Sequence, residues 1–511
     1  MLRIPPGWIA FFICLLFVAT GLPWIGETGV QSDEALFSGQ IYRQPWEGRS
    51  VMLMSYVGAV KSYIYAPIFA LWKPSAASVR VPAILLGGLT IGLVYLAAKR
   101  ALGVKAALIT TTLLATDTTF LFSTRWDWGP VVLQHLCFAA GMLGFVTFAR
   151  TSKYRWLAMG AFVFGLGMWD KALFSWSLAA LFVATAIVFP RELRSRLNWR
   201  SVFIGTAAFL LGAAPLLKWN ADHRWATFRE NTVWSADEIL PKAEILKRSI
   251  DGFAWGGTIM RANWDGPVRP PDDGLKKAIV WISDVFGSPE RSLQVWVLLA
   301  ALLLAPFTWR SENGRAFLFS FIYLVVAWVL MTGTHNAGGS VHHVVLLWPI
   351  PQFLIGSVFS RVRGGSLVLL TCLASLLVTA TYYRNMLRNG GVPAYSDAIY
   401  PASQFLAVER PERVCALDWG FFDNLRVLNQ GRLAVVNPNQ PGTDGARWQL
   451  AQTNTVFITH TKEAEIQPGS TSDYVSFAIA EGYQKTDARI FNDYNGRPII
   501  EVFRLTKMQL P

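Results

Sequence analysis

Residues 80–123 read RVPAILLGGLTIGLVYLAAKRALGVKAALITTTLLATDTTFLFS. Two apolar stretches, 80–98 and 104–123, flank a short link that carries Lys99, Arg100 and Lys105. Each stretch has the roughly 17–25 residues that an α-helix needs to cross a bilayer. Working outward, comparable runs occur near 8–24, 129–149, 155–169, 171–190, 201–219, 292–308, 316–333, 341–359 and 365–383, giving about eleven spans. The composition agrees: of 511 residues 53% are hydrophobic and only 15% charged, with 22 tryptophans and a mean hydropathy of +0.34. A soluble domain carries about 25% charged residues and lacks repeated runs of this length. The chain reads as a polytopic α-helical membrane protein.

The basic residues check the helix order independently. With the N-terminus inside, the inner loops hold Lys99, Arg100 and Lys105, then Arg150, Lys153 and Arg155. Arg191, Arg194, Arg196 and Arg200 follow, then Arg310 and Arg315, then Arg361 and Arg363. Every short loop assigned to the cytoplasm is basic, as the positive-inside rule requires. The net charge of +13 therefore reflects helix orientation, and nucleic acid is not expected as a partner. The run from Trp8 to Trp24 resembles a signal peptide but lacks an A-x-A-like site, so it reads as the first membrane helix. Cys14, Cys137, Cys372 and Cys415 show no paired spacing, which argues against a disulfide framework or a zinc–cysteine site.

This topology divides the chain into a membrane part, 1–383, and an outer C-terminal α/β domain, 384–511. The outer loops are 25–79, 124–129, 220–291 and 334–341. The first has amphipathic helix-like pieces around 50–72. In the C-terminal domain Arg413–Leu417, Thr455–Thr459 and Pro498–Leu505 read as strands and Phe421–Leu428 as a helix. No internal repeat of helices is visible, which weakens an inverted-repeat transporter reading.

Candidate chemistry gathers on the outer side. Ser32-Asp33-Glu34 follows the first helix closely. Ser32 or Asp33 could simply cap a helix Glu34–Tyr42. Alternatively, an acid here is a general base for an acceptor hydroxyl or amine. The short second loop reads Thr124-Arg125-Trp126-Asp127-Trp128-Gly129-Pro130, in which Asp127 is either a cap within an aromatic belt or a second acid. Lys61, Arg80 and Lys171 are outer-side cations that the positive-inside rule does not explain. Singly each could snorkel to headgroups; together they would hold a lipid-linked phosphate and stabilise it as a leaving group. Half of the six histidines fall within His335–His343, where glycines ahead of a helix suggest a phosphate cradle supported by His342 and His343. Walker A, Rossmann and GxSxG motifs are missing, so nothing supports ATP-driven transport, nicotinamide chemistry or serine hydrolysis.

Taken in order, these features resemble the GT-C class of membrane glycosyltransferases. They are the Asp33-Glu34 pair, the amphipathic first loop, Arg80 opening helix two, Asp127 in the second loop, a Gly-Leu-Gly…Lys171 segment and an outer C-terminal domain. Within that class the chain is similar to the protein O-mannosyltransferases and bacterial lipid A aminoarabinose transferases (glycosyltransferase family 39-like), over about residues 8–383. The resemblance implies transfer of a monosaccharide from a polyprenyl-phosphate donor to an envelope glycan, lipid or protein at the outer membrane face. It implies Asp33 as an inverting general base, with Glu34 and Asp127 orienting the acceptor. It further implies Lys61, Arg80 and, more loosely, Lys171 at the donor phosphate. The phosphate role of His342 and His343 is a physical inference, because that loop departs from the better-known members. No metal site and no certain cofactor are expected, although Asp33, Asp127 and the histidines could share a divalent cation. The expected location is the cell inner or plasma membrane, multi-pass among its lipids, with a cytoplasmic N-terminus and a periplasmic C-terminal domain. The rival readings are a lipid-linked glycan flippase and a non-catalytic envelope assembly protein.

Overall fold

The computed structural model describes residues 5–44, 48–231, 233–235, 238–261, 266–335 and 338–508. The membrane part begins with α1 (Pro6–Gly21), α2 (Ser32–Ser38), α3 (Val60–Leu71) and α4 (Ala76–Leu102). It continues with α5 (Val104–Ala115), α6 (Thr118–Trp126), α7 (Val131–Thr151), α8 (Tyr154–Asp170), α9 (Phe174–Val188), α10 (Pro190–Arg196) and α11 (Trp199–Asp222). After α12 (Ala226–Asn231), α13 (Ile239–Asp251) and α14 (Gly274–Val285) come α15 (Gln294–Leu304), α16 (Glu312–Gly333), α17 (Val341–Val344), α18 (Ile350–Phe359) and α19 (Gly365–Asn389).

Every apolar stretch of the sequence folds as helix. Among the described residues six helical segments are long and apolar enough to cross a membrane, counting α17 to α18 (Val341–Phe359) as one, or eight if each bent pair, α5–α6 and α9–α10, forms one span. The expected count of about eleven is not confirmed by length alone, because α1, α8 and α15 are short, with 16, 17 and 11 residues. The last helix runs to Asn389, past the expected domain limit at 383.

The 59° bend between α5 and α6 exposes backbone groups that lipid cannot satisfy. Asp117 resolves this: Oδ1 accepts from Phe120 N–H (2.8 Å), capping α6. Its Oδ2 accepts from Trp348 Nε1 (2.8 Å), Gln352 Nε2 (2.8 Å) and Gln294 Nε2 (2.9 Å), so the bend is tied to three later segments. Buried Arg125 does the same for the end of α1, donating to the carbonyls of Gly21 (2.9 Å), Pro23 (2.7 Å) and Trp24 (2.8 Å). The largest apolar core lies among α4–α9, α16 and the segment after α17, with Phe120, Phe138, Phe174, Tyr323 and Trp348 inside it.

The first loop differs from the sequence reading in two places. Gln31, not Ser32 or Asp33, caps α2: its side chain accepts from the backbone N–H groups of Asp33 and Glu34, and Glu34 closes the capping box. Residues 52–58 form a hairpin, β1 (Met52–Met54) with β2 (Val57–Gly58), rather than helix.

The C-terminal unit contains β3 (Arg413–Ala416), β4 (Val435–Val436), β5 (Thr455–His460), β6 (Tyr483–Asn492) and β7 (Pro498–Lys507). Its helices are α20 (Ile399–Glu409), α21 (Phe422–Leu428), α22 (Asp444–Ala451) and α23 (Ser470–Ala480). The sheet order is β4-β3-β5-β7-β6: β3 runs parallel to β4 and β5, and β7 antiparallel to β5 and β6. The unit seats directly on the first loop. Gly29 N–H donates to Tyr395 O (2.7 Å), and a Cβ at Gly29 would lie 2.1 Å from Ser396 O, so only glycine permits this approach. Asn424 Nδ2 donates to Val30 O (3.1 Å), and Asp423 N–H reaches Ser32 Oγ (3.4 Å).

Candidate active site at the membrane surface

The start of α2, the α6–α7 turn, the α8–α9 turn and the segment around α17 converge on one region. Asp33 lies in the first turn of α2, and its Oδ2 accepts from Trp128 Nε1. The Trp128 ring sits between Trp255 (centroids 5.6 Å apart) and His342 (5.1 Å). Gly129 follows in the left-handed region (φ +73°). A Cβ there would meet His342 Cδ2 at 3.0 Å and Lys171 Nζ at 3.4 Å, so glycine lets these two side chains close in. Lys171 Nζ donates to Gly129 O (3.0 Å). The hairpin braces the same point, since Val57 bridges Lys171 and Ala172 N–H donates to Tyr56 O (2.9 Å).

The four acids of the region differ in what they face. Glu34 is fully buried and takes Arg80 bidentately, Nε to Oε2 at 2.8 Å and Nη2 to Oε1 at 2.9 Å. Asp127 is buried, with Oδ2 2.7 Å from Lys61 Nζ and Oδ1 accepting from Val132 N–H (2.9 Å) at the start of α7. Asp170 is buried, and its Oδ2 accepts from Gln134 Nε2 (2.9 Å). Asp33 alone of the four is only half-buried; neither it nor Asp170 has a cation paired to it among the described residues. Burial raises its carboxyl above the ordinary value. Hydrogen bonds from Trp128 and Gln31 and the charge of Lys171 pull it part of the way back, while Glu34 adds to the rise.

This geometry corrects several expectations. Arg80 has no donor left for a phosphate: beyond Glu34 it reaches Ile25 O, Thr28 O and Oγ1, and Gly29 O. Glu34 is correspondingly committed to Arg80 and shielded from any acceptor. Lys61 is neutralised by Asp127, and that pair fixes the α6–α7 turn against the first loop. Lys171, the weakest of the three cations on sequence grounds, is 1% exposed and makes no ion pair among the described residues. A buried cation without a counter-ion is costly unless an anion arrives.

The histidine loop also differs. Asn336 and Ala337 lie outside the described residues. Gly338 and Gly339 precede only one helical turn, α17, too short to supply the dipole that a phosphate cradle relies on. The histidines themselves do enter the region. His342 Nδ1 contacts Ser340 Oγ (2.6 Å), and the two imidazoles lie 4.2 Å apart. Buried His343 has neither ring nitrogen hydrogen-bonded within the described residues. Among those residues no three His, Cys, Asp or Glu side chains are grouped to hold a metal ion.

Sequence reasoning assigned no role in the site to Gln31, Gly129, Gln134 or Asp170, and read Trp128 only as part of an aromatic belt. Tryptophans on both sides of Asp127 were the available signal, but which indole meets which acid depends on the left-handed turn at Asp127 (φ 36°).

Residues 58–219 match the model of a family described as dolichyl-phosphate-mannose-protein mannosyltransferase. The chain is similar to the structure of ArnT from Cupriavidus metallidurans bound to undecaprenyl phosphate, with TM-score 0.50 and 13% identity over 98% of each chain. It is also similar to the Archaeoglobus fulgidus oligosaccharyltransferase in the apo form, with TM-score 0.52 and 13% identity over 98% of this chain and 74% of that one. No curated protein matches the sequence.

Proposed function

The chain has the GT-C fold of membrane glycosyltransferases, and on that premise we propose that it moves a monosaccharide from a polyprenyl phosphate to an envelope acceptor. The observation that carries this reading is the placing of a solvent-reachable carboxylate, Asp33, near a buried cation, Lys171, that forms no ion pair among the described residues. A base and an anion site beside a membrane are what displacement at a lipid-linked sugar needs. The ArnT neighbour was solved with undecaprenyl phosphate, which supports the donor class.

Asp33 takes the proton of the acceptor hydroxyl or amine as that nucleophile attacks the anomeric carbon. The carbon–oxygen bond to phosphate breaks, and the lipid phosphate leaves with the bonding electrons. Lys171 meets the departing charge, with His342 and His343 as further hydrogen-bonding groups. A single in-line displacement inverts the anomeric centre. Arg80–Glu34 and Lys61–Asp127 act as struts that hold α2 and the α6–α7 turn. The site faces the extracytoplasmic side of a plasma or inner membrane, with the acceptor drawn from envelope glycan, lipid or protein.

The test is incubation of the purified protein with radiolabelled polyprenyl-phosphate sugars and envelope acceptors, beside Asp33→Asn. Label transfer with release of lipid phosphate, lost in the variant, is the expected result. Donor binding without release in either protein would refute transfer and favour lipid translocation.

A further inference from the structure

The hairpin that braces Lys171 borders a second feature. Residues Met52–Ser55 line a cavity of about 600 Å3 that opens beside the turn after α11. Arg43, Arg224 and Arg229 line it together with Trp219, Asp222 and Glu230. Asp222 is neutralised by Lys218 (2.9 Å), whereas none of the three guanidiniums forms an ion pair among the described residues. Arg224 and Trp225 both adopt the left-handed backbone (φ 54° and 59°), a conformation unfavourable for large side chains and here repeated in succession.

The surroundings identify the level of this cavity. Helix α11 presents Val202, Phe203, Leu210 and Leu211 outward, an apolar face suited only to acyl chains. At its end Trp225 and Phe228 are exposed, 51% and 45%, with rings 6.0 Å apart, as at a membrane–water boundary. The cavity thus combines guanidiniums that form no ion pair among the described residues, apolar Met52, Leu53 and Met54, and the end of a helix whose outward face is apolar. It abuts the hairpin that braces Lys171, because Asn231 Nδ2 donates to Ser55 Oγ (3.2 Å), next to Tyr56.

We propose that this cavity binds the headgroup phosphate of an anionic phospholipid, with Arg43, Arg224 and Arg229 as its ligands and the acyl chains laid along α11. Guanidinium forks suit phosphate oxygens. A free phosphate would leave the apolar lining and the aromatic pair without a role. Occupancy adds a contact to the hairpin whose far residues border Lys171, so lipid composition reaches the transfer site without contributing to it chemically.

The full-length protein, reconstituted in mixed phosphatidylglycerol and phosphatidylcholine vesicles and re-extracted, is examined by native mass spectrometry for retained lipid. Phosphatidylglycerol is retained in preference to phosphatidylcholine, and Arg224→Gln with Arg229→Gln lowers its retention at least about tenfold, because two charge-assisted contacts are lost. Arg191→Gln with Arg194→Gln, an equal loss of charge on exposed α10, leaves retention unchanged. Arg43→Gln alone serves if the double variant does not fold. Equal retention of the two lipids, or equal retention by wild type and the Arg224/Arg229 variant, overturns the proposal. Thermal protection by inorganic phosphate as strong as that by phosphatidylglycerol overturns it in favour of an ion site.

Discussion

Replacing Trp128 by Phe isolates the electrostatic setting of Asp33. The substitution keeps an aromatic ring between Trp255 and His342 and removes one N–H, the donor to Asp33 Oδ2. A hydrogen bond to a charged group contributes about 1.5–3 kcal/mol, which corresponds to about 1–2 pK units. The sign follows from which form the bond favours. The indole stabilises the carboxylate, so its loss raises a pKa that burial has already raised. A general base works only when ionised, so activity falls as pH drops through that value. Trp128→Phe is therefore expected to move the acidic limb of the kcat/KM profile upward by about 1–2 pH units while retaining the alkaline plateau. The assay is release of lipid phosphate from the donor identified with the wild-type protein, followed across pH. An unmoved limb would refute the reasoning, and so would a uniform loss at every pH.

Three further outcomes are expected. Arg80→Ala leaves Glu34 buried without its partner and lowers stability by about 3–5 kcal/mol, while Arg80→Met with Glu34→Met loses less than the single change, both read from thermal unfolding. Lys61→Met and Asp127→Asn show a coupling of about 0.5–3 kcal/mol in a double-mutant cycle on stability, and additive effects would disprove the strut. Lys171→Met removes a buried charge that has no ion-pair partner among the described residues, so it raises the donor KM steeply without lowering the melting temperature. A fall in melting temperature equal to that of Arg80→Ala would show Lys171 to be structural.

How far the sequence could be read depended on the range of the forces involved. Apolar runs and loop charges are local, so the membrane helices and the strands expected at Arg413–Leu417, Thr455–Thr459 and Pro498–Leu505, which match β3, β5 and β7, were legible from residue order. Asp33, Asp127 and Lys171 stand out in the sequence because charged residues at these positions need a reason. Their pairing was not legible. Whether Arg80 meets a phosphate or Glu34 depends on chain closure across the whole first loop, and no periodicity encodes it. Neither hydropathy nor loop charge registers that α1 stops at Gly21 where Arg125 collects its carbonyls. The cap on α2 was misassigned because Ser and Asp have the stronger intrinsic preference, and tertiary context favoured Gln31.

Thr28 is a small residue with an unusual number of obligations. Its carbonyl accepts from Arg80 of α4 (3.1 Å) and from Tyr400 of α20 (3.0 Å), and its hydroxyl accepts from Arg80 (3.0 Å) and Trp126 (3.2 Å). One peptide thus belongs at once to the bundle and to the soluble unit, a few residues from Asp33. The unit of exchange in a chimera is accordingly not the C-terminal domain cut at Asn389. A donor domain grafted there would meet a first loop shaped for another partner, and the base would inherit the misfit. The transplantable piece is the C-terminal domain together with residues 25–44, two segments far apart in the gene that the fold obliges to travel as one.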